Sequence, residues 1–126
     1  MSKTNQKVLI VEDNKDFLWI LRQGFDRQDF KVLYALSGEE GVQIAQTEQP
    51  DLIVMDILLP GIDGIAAVKQ IKEKGIRSQI IFLTNVNDAE HISRAIEAAG
   101  ETDYMVKSDV SVDAIILRVK NKLGIV

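Results

Sequence analysis

The sequence predicts an α/β fold: a five-stranded parallel sheet in the order 2-1-3-4-5 with helices on both faces. Three observations carry that prediction. Short apolar runs alternate with amphipathic segments five times over 126 residues. The first, third and fourth runs are nearly unbroken Val, Ile, Leu and Phe, as expected of parallel strands covered on both faces. Each run is followed by a helix-capping residue and an apolar stripe at helical period, so the connections are right-handed crossovers between parallel strands.

The elements follow in order. Lys7–Val11 reads as the first strand. Asn14 caps the first helix, with Phe17, Leu18, Leu21 and Phe25 on its inner face. Lys31–Ala35 is a weaker strand and suits an edge. Ser37 with Glu40 has the spacing of a capping box before the second helix. Asp51–Met55 is the third strand, and Asp63 caps a third helix that ends at Gly75, a left-handed C′ residue. Gln79–Leu83 is the fourth strand. Asn87 and Glu90 repeat the capping-box spacing before Ile92, Ala95, Ile96 and Ala99, and Gly100 stops that helix. Asp103–Val106 is the fifth strand, at the other edge. Ser111 starts a last helix whose stripe is Val112, Ile115, Ile116, Val119 and Leu123. Trp19 and Leu117 fall off their stripes and are expected in solvent. The strand order is the flavodoxin-like one, in which the chain reverses between strands 1 and 3 and ligands bind at that crevice, at the carboxyl ends of the strands.

Composition narrows the class. With 46% apolar and 27% charged residues the chain reads as one globular domain over residues 1–126. A net charge of −4 argues against direct nucleic-acid binding. No cysteine is present, which removes disulfides, thiolate metal sites and thiol chemistry. No apolar stretch approaches the roughly 18 residues of a membrane span, and the polar segment from Met1 to Lys7 lacks an apolar signal. The expected setting is the cytoplasm.

The predicted topology gathers polar residues at one end of the sheet. Glu12 and Asp13 follow strand 1, and Asp56 closes strand 3. Carboxylates at the rim of a core are costly unless something uses them. Thr84 follows strand 4 and Lys107 follows strand 5, so three acids, a hydroxyl and an ammonium share one edge. Such a set suits a hard cation and offers one carboxylate oxygen as a nucleophile. Read singly, Glu12 and Asp13 also fit a helix N-terminus, Asp63 a helix cap, and Tyr104 a static packed aromatic. His91, the one histidine, is assigned no chemistry.

The whole chain resembles the receiver domain of bacterial-type response regulators. The matching pieces are Leu9-Ile10-Val11-Glu12-Asp13-Asn14, Asp51-Leu52-Ile53-Val54-Met55-Asp56 and Leu59-Pro60-Gly61-Ile62-Asp63-Gly64, completed in order by Thr84, Tyr104 and Lys107. The resemblance implies that Asp56 accepts a phosphoryl group from a phosphohistidine. It implies Mg²⁺ held by Asp13, Asp56 and the Leu58 backbone carbonyl, with Glu12 acting mainly through water. Lys107 and Thr84 would contact phosphoryl oxygens, and Thr84 and Tyr104 would act as the switch that remodels the face of helix 4, strand 5 and helix 5. The implied partners are a sensor histidine kinase or a histidine phosphotransfer protein, a downstream protein target, and a phosphorylation-dependent homodimer in which Leu117 is an interface candidate. Such a chain is a regulatory receiver rather than an enzyme, although it promotes its own phosphorylation and dephosphorylation.

The chain departs from that pattern at several positions. Proline usually follows the lysine, with a cis bond between them, whereas here Ser108 does; a cis bond would cost about 3–4 kcal/mol, so either that strain is kept or the loop is rearranged. Asn85 stands where a small residue is usual, and its amide either crowds the pocket or donates a hydrogen bond. Leu58 and Val86 occupy the positions that tune hydrolytic water, which suggests slow self-dephosphorylation. Two other functions are weighed: a degenerate receiver that folds without carrying phosphate, and a phosphatase with an aspartyl nucleophile and Mg²⁺. The second needs an acid two residues after its nucleophile, where this chain has Leu58. A nucleotide-binding role lacks a glycine-rich loop after strand 1.

Overall fold

The computed structural model describes residues 6–85, 89–100 and 103–125. Five strands, β1 (Lys7–Val11), β2 (Lys31–Ala35), β3 (Leu52–Met55), β4 (Gln79–Thr84) and β5 (Asp103–Val106), form one sheet. All neighbours are parallel and the order is β2-β1-β3-β4-β5. Between and after them run α1 (Lys15–Phe25), α2 (Gly38–Glu48), α3 (Gly64–Glu73), α4 (Ala89–Ala99) and α5 (Val112–Leu123), with one 3-10 turn at Lys107–Asp109.

The period-2 alternation of strand side chains divides the core into two layers. Val8 and Ile10 of β1 join Leu52, Val54, Ile81 and Leu83 on the face covered by α1 and α5, against Leu21, Phe25, Ile115 and Val119. Leu9 and Val11 join Ile53, Met55 and Phe82 on the face covered by α2, α3 and α4, against Ala45, Val68, Ile71 and Ala95. Each fully buried large side chain of this kind contributes roughly 1.5–3 kcal/mol over its exposed state. The sheet therefore needs an apolar residue at every position of its central strands, which is why β1, β3 and β4 read as continuous runs.

Caps set the helix starts. The side chains of Asn14, Ser37, Asp63 and Ser111 accept hydrogen bonds from the amides of Phe17, Glu40, Ala66 and Ala114. Glu40 reaches past the Ser37 cap and accepts from the Leu36 amide at 2.8 Å, one residue earlier than a capping box requires. Gly75 lies beyond α3 at φ +79°, as the sequence expects. The expected cap Asn87 lies outside the described residues.

Three expectations need correction. Asp51 lies at a bend one residue before β3: its amide donates to the Lys7 carbonyl at 2.9 Å and its carboxylate accepts from the Lys7 amide at 2.8 Å. Thr84 belongs to β4 rather than following it, because it pairs in register with Val106. Ile96 is 48% exposed, since Ala95 faces the sheet and the next residue is turned about 100° away. Trp19 and Leu117 are in solvent, as their positions off the stripes require.

The amino ends of the strands are tied together. Lys7 Nζ pairs with Glu48 at 3.2 Å, and Lys31 approaches the same carboxylate at 3.9 Å. Gln6 donates to the Leu123 carbonyl at 3.4 Å and Gln79 to the Lys122 carbonyl at 2.9 Å. The carboxyl ends, by contrast, carry the acids. No helix among the described residues is long and apolar enough to cross a membrane.

Candidate functional site

Two strands deliver the acids. β1 ends one residue before Glu12, β3 ends one residue before Asp56, and β1 and β3 are register neighbours through Val11 and Met55. The crossover of order between them therefore places both acids at one rim. Glu12 and Asp56 are buried, at 2% and 5% exposure, while Asp13 is exposed. Carboxylate oxygens of Glu12, Asp13 and Asp56 all lie within 4.8 Å of one another. A pocket of about 190 Å³ opens over them, lined by Asp13, Asp56, Leu58, Thr84, Asn85 and Lys107 among others.

Lys107 answers the buried charge. Its ammonium lies 2.6 Å from Glu12 Oε1 and 3.0 Å from Asp56 Oδ2. The second oxygen of Glu12 accepts from the Asn14 amide at 2.9 Å. Burial pushes the Glu12 carboxyl above its ordinary value, against the lowering effect of the hydrogen bonds from Lys107 and Asn14, and the nearby Asp56 charge adds to the rise. Burial lowers the Lys107 pKa, but the hydrogen bond to Glu12 and the charge of Asp56 outweigh it, so the net shift is upward. Both oxygens of Glu12 are thus engaged within the protein. Asp13 has no hydrogen-bond or ion-pair partner among the described residues.

The Lys107–Ser108 peptide is trans, and Lys107 opens the 3-10 turn. Of the two alternatives left by Ser108, the loop is the rearranged one, and the ammonium still reaches Asp56. Asn85 lines the pocket and is exposed. Thr84 is fully buried at the end of β4. Tyr104 is half-buried on the α2-α3-α4 side, its ring centroid 6.3 Å from that of Phe82. Val86 lies outside the described residues.

Two neighbours are not visible as site residues in the sequence. Phe17, placed on the inner stripe of α1, is only half-buried and sits with its ring centroid 4.7 Å beneath the Lys107 ammonium. That contact orients the lysine by cation–π attraction. Glu39, beside the capping-box Glu40, accepts from the Ile62 amide at 3.1 Å in the loop after Asp56. The Glu39-Glu40 pair, one acid more than the box needs, is the only trace of it in the sequence.

The loop from Asp56 to Asp63 folds back on itself. Leu59 and Gly64 amides both donate to the Ile57 carbonyl, at 3.1 and 2.8 Å. Gly64 starts α3 so close to β3 that a Cβ there would stand 1.9 Å from the Asp56 carbonyl oxygen. The Leu58 side chain is 58% exposed, and no donor among the described residues claims its carbonyl.

A set of three carboxylates around an open pocket fits a hard divalent cation: the donors are all oxygens, and one carboxylate and one backbone carbonyl have no protein partner.

Comparison with known proteins agrees with the geometry. A family model described as the response regulator receiver domain matches residues 8–120. The chain is 36% identical over 103 residues to the alkaline phosphatase synthesis transcriptional regulatory protein PhoP of Bacillus subtilis, covering 82% of this chain and 42% of that protein. It spans less than half the length of this and other regulators that it matches. It is 27% identical over 106 residues to sporulation initiation phosphotransferase F of the same organism, covering 84% of this chain and 86% of that protein. Among solved structures, the Francisella response regulator 1452 receiver domain superposes with a TM-score of 0.83 at 27% identity, covering 93% of this chain and 95% of that one.

Proposed function

Because the chain belongs to the response regulator receiver domain family of two-component signalling, we propose that it is a phospho-acceptor switch in which Asp56 takes the phosphoryl group of a phosphohistidine. An oxygen of Asp56 attacks phosphorus, a P–O bond forms, and the P–N bond breaks with its electron pair retained by the departing imidazole. The observation that carries this reading is the Lys107 ammonium 3.0 Å from Asp56 Oδ2, in a pocket that also gathers Glu12 and Asp13.

Phosphoryl transfer asks mostly for positioning and charge stabilisation. A phosphate brought among three acids would otherwise cost about 4 kcal/mol per like-charge contact at 4 Å and an effective ε of 20. Mg²⁺ would be held by Asp13, Asp56 and the Leu58 carbonyl, with Glu12 in its outer sphere, and it supplies the charge neutralisation that the acids lack. Lys107 exchanges part of its hold on Asp56 for a phosphoryl oxygen. Thr84 donates its hydroxyl to another. Its movement frees space for Tyr104 to turn inward, which changes the face of α4, β5 and α5, where α4 and α5 present Ile96 and Leu117 to solvent. A Tyr104 ring whose NMR environment ignores phosphorylation removes this last step.

In this reading residues 1–126 form a single receiver domain in the cytoplasm, regulatory and not a multiple-turnover enzyme. Its phosphoryl source is a sensor histidine kinase or a histidine phosphotransfer protein. Its output is a downstream protein or a homodimer formed through the switched face. A relay intermediate is the second reading, favoured by the match with a phosphotransferase over 84% of this chain and 86% of that protein; return of the phosphoryl group to a histidine protein separates the two. Slow self-hydrolysis follows from Leu58, an apolar side chain that cannot orient water at the pocket.

Intact-mass measurement with a small phospho-donor and Mg²⁺ tests the function. One added phosphoryl group is expected. An unmodified protein leaves the degenerate receiver as the better reading, and steady hydrolysis of p-nitrophenyl phosphate revives the phosphatase.

Metal dependence has its own check. Asp13→Asn removes one of three crowded charges, and the metal-free variant is expected to be about 0.5–1 kcal/mol more stable than the wild type in EDTA. Millimolar Mg²⁺ should raise the melting temperature of the wild type and leave the variant unmoved.

A further inference from the structure

The loop between β3 and α3 carries Leu58, and the first turn of α2 is seated on it. Glu40 is used at the entry to α2, where it accepts from the Leu36 amide. Glu39 points elsewhere, to the Ile62 amide 23 residues away. Two glycines make this approach possible. Gly61 has φ +76°, and a Cβ on it would stand 2.3 Å from Glu39 Oε2. A Cβ on Gly38 would stand 2.8 Å from the Ile62 carbonyl oxygen. Among the described residues, Glu39 is the one side chain from another element that bonds the backbone of residues 57–62. It is exposed and belongs to neither the core nor the acidic pocket.

We propose that Glu39 is a positioning residue for the divalent cation: by holding the Ile62 amide it fixes the loop whose Leu58 carbonyl completes the oxygen set of Asp13 and Asp56. The proposal rests on the reading of Leu58 as a ligand. A loop with three exposed residues, Leu58, Pro60 and Gly61, and few internal hydrogen bonds samples many shapes unless something outside it chooses one. Groups behind metal ligands typically change affinity by about 10–100-fold when removed. A solvated acceptor such as Glu39 belongs at the lower end of that range.

The test uses Mn²⁺ itself as probe, with the free ion read by electron paramagnetic resonance, on the wild type, Glu39→Ala and Glu39→Gln. Glu39→Ala is expected to bind Mn²⁺ about 10-fold more weakly. Glu39→Gln keeps an acceptor oxygen without the charge, and it should restore binding to within about 2-fold of the wild type. Without metal, amide exchange at Ile62 should quicken in Glu39→Ala and recover in Glu39→Gln, while all three proteins melt alike in EDTA. Equal Mn²⁺ affinity in all three overturns the role of Glu39 and leaves the metal site intact. Equal weakening in Ala and Gln variants also overturns it, because charge alone would then be acting. A wild type that binds no Mn²⁺ overturns the metal site and this role with it.

Discussion

Asp56→Asn is expected to stay unmodified by acetyl phosphate and Mg²⁺ under conditions that add one phosphoryl group to the wild type. The substitution is nearly isosteric but replaces an anionic oxygen with a neutral amide that is no nucleophile. It leaves Thr84 and Lys107 in place, so loss of modification cannot be blamed on a missing donor. No other acid of the pocket is expected to take the place of Asp56. Glu12 has one oxygen on Lys107 and the other on the Asn14 amide. Asp13 is exposed, and neither oxygen is held by the Lys107 ammonium that grips Asp56. Intact mass reads the outcome, and a variant modified at the wild-type rate would move the acceptor elsewhere. The variant should remain folded. It removes one of three mutually repelling charges, and Lys107 keeps its 2.6 Å contact with Glu12.

Gly64→Ala is expected to destabilise the protein by about 3 kcal/mol, at the upper end of what over-packing usually costs. The added methyl would meet the Asp56 carbonyl oxygen at 1.9 Å, its carbon at 2.8 Å and the Ile57 Cα at 2.9 Å. All three are backbone, so no rotamer change relieves the clash. Relief requires α3 to move away from β3, or β3 to surrender its end. For a domain of this size the loss corresponds to a melting temperature lower by roughly 10 °C. Urea unfolding measures the free energy. Because the displaced carbonyl belongs to Asp56, the proposed acceptor, phosphorylation of the folded fraction should slow as well. A variant as stable as the wild type would mean that the junction of strand and helix is looser than drawn.

Most of this architecture is legible in the sequence because it is written locally. Strand identity follows from burial on two faces, helix starts from Asn14, Ser37, Asp63 and Ser111, and the acid cluster from carboxylates placed at the ends of apolar runs. Errors appear where a distant partner decides. Asp51 bends one residue before β3, with its carboxylate on the Lys7 amide, and Thr84 is held inside β4 by its pairing with Val106. Ile96 satisfies the helical period but lies one residue round from the buried Ala95. Phe17 and Glu39 act through Lys107 and Ile62, and nothing near them in the chain announces those contacts. Ser108 shows the opposite limit. The sequence identifies a departure from the usual proline, while only the fold shows that the turn following β5 brings the ammonium to Asp56 regardless.

The hydrogen bond between Gln6 and Leu123 has a practical corollary. Entry to β1 and exit from α5 share the floor of the molecule, whereas Asp56, the proposed acceptor, occupies its roof. A five-residue strand spans roughly 16 Å, and that depth separates the two. A fluorophore, affinity handle or neighbouring module grafted near either junction would hang beneath the sheet, leaving the roof unobstructed. On the proposed reading, cargo held close beneath the sheet would sense the chemistry overhead by relay through the flanking helices.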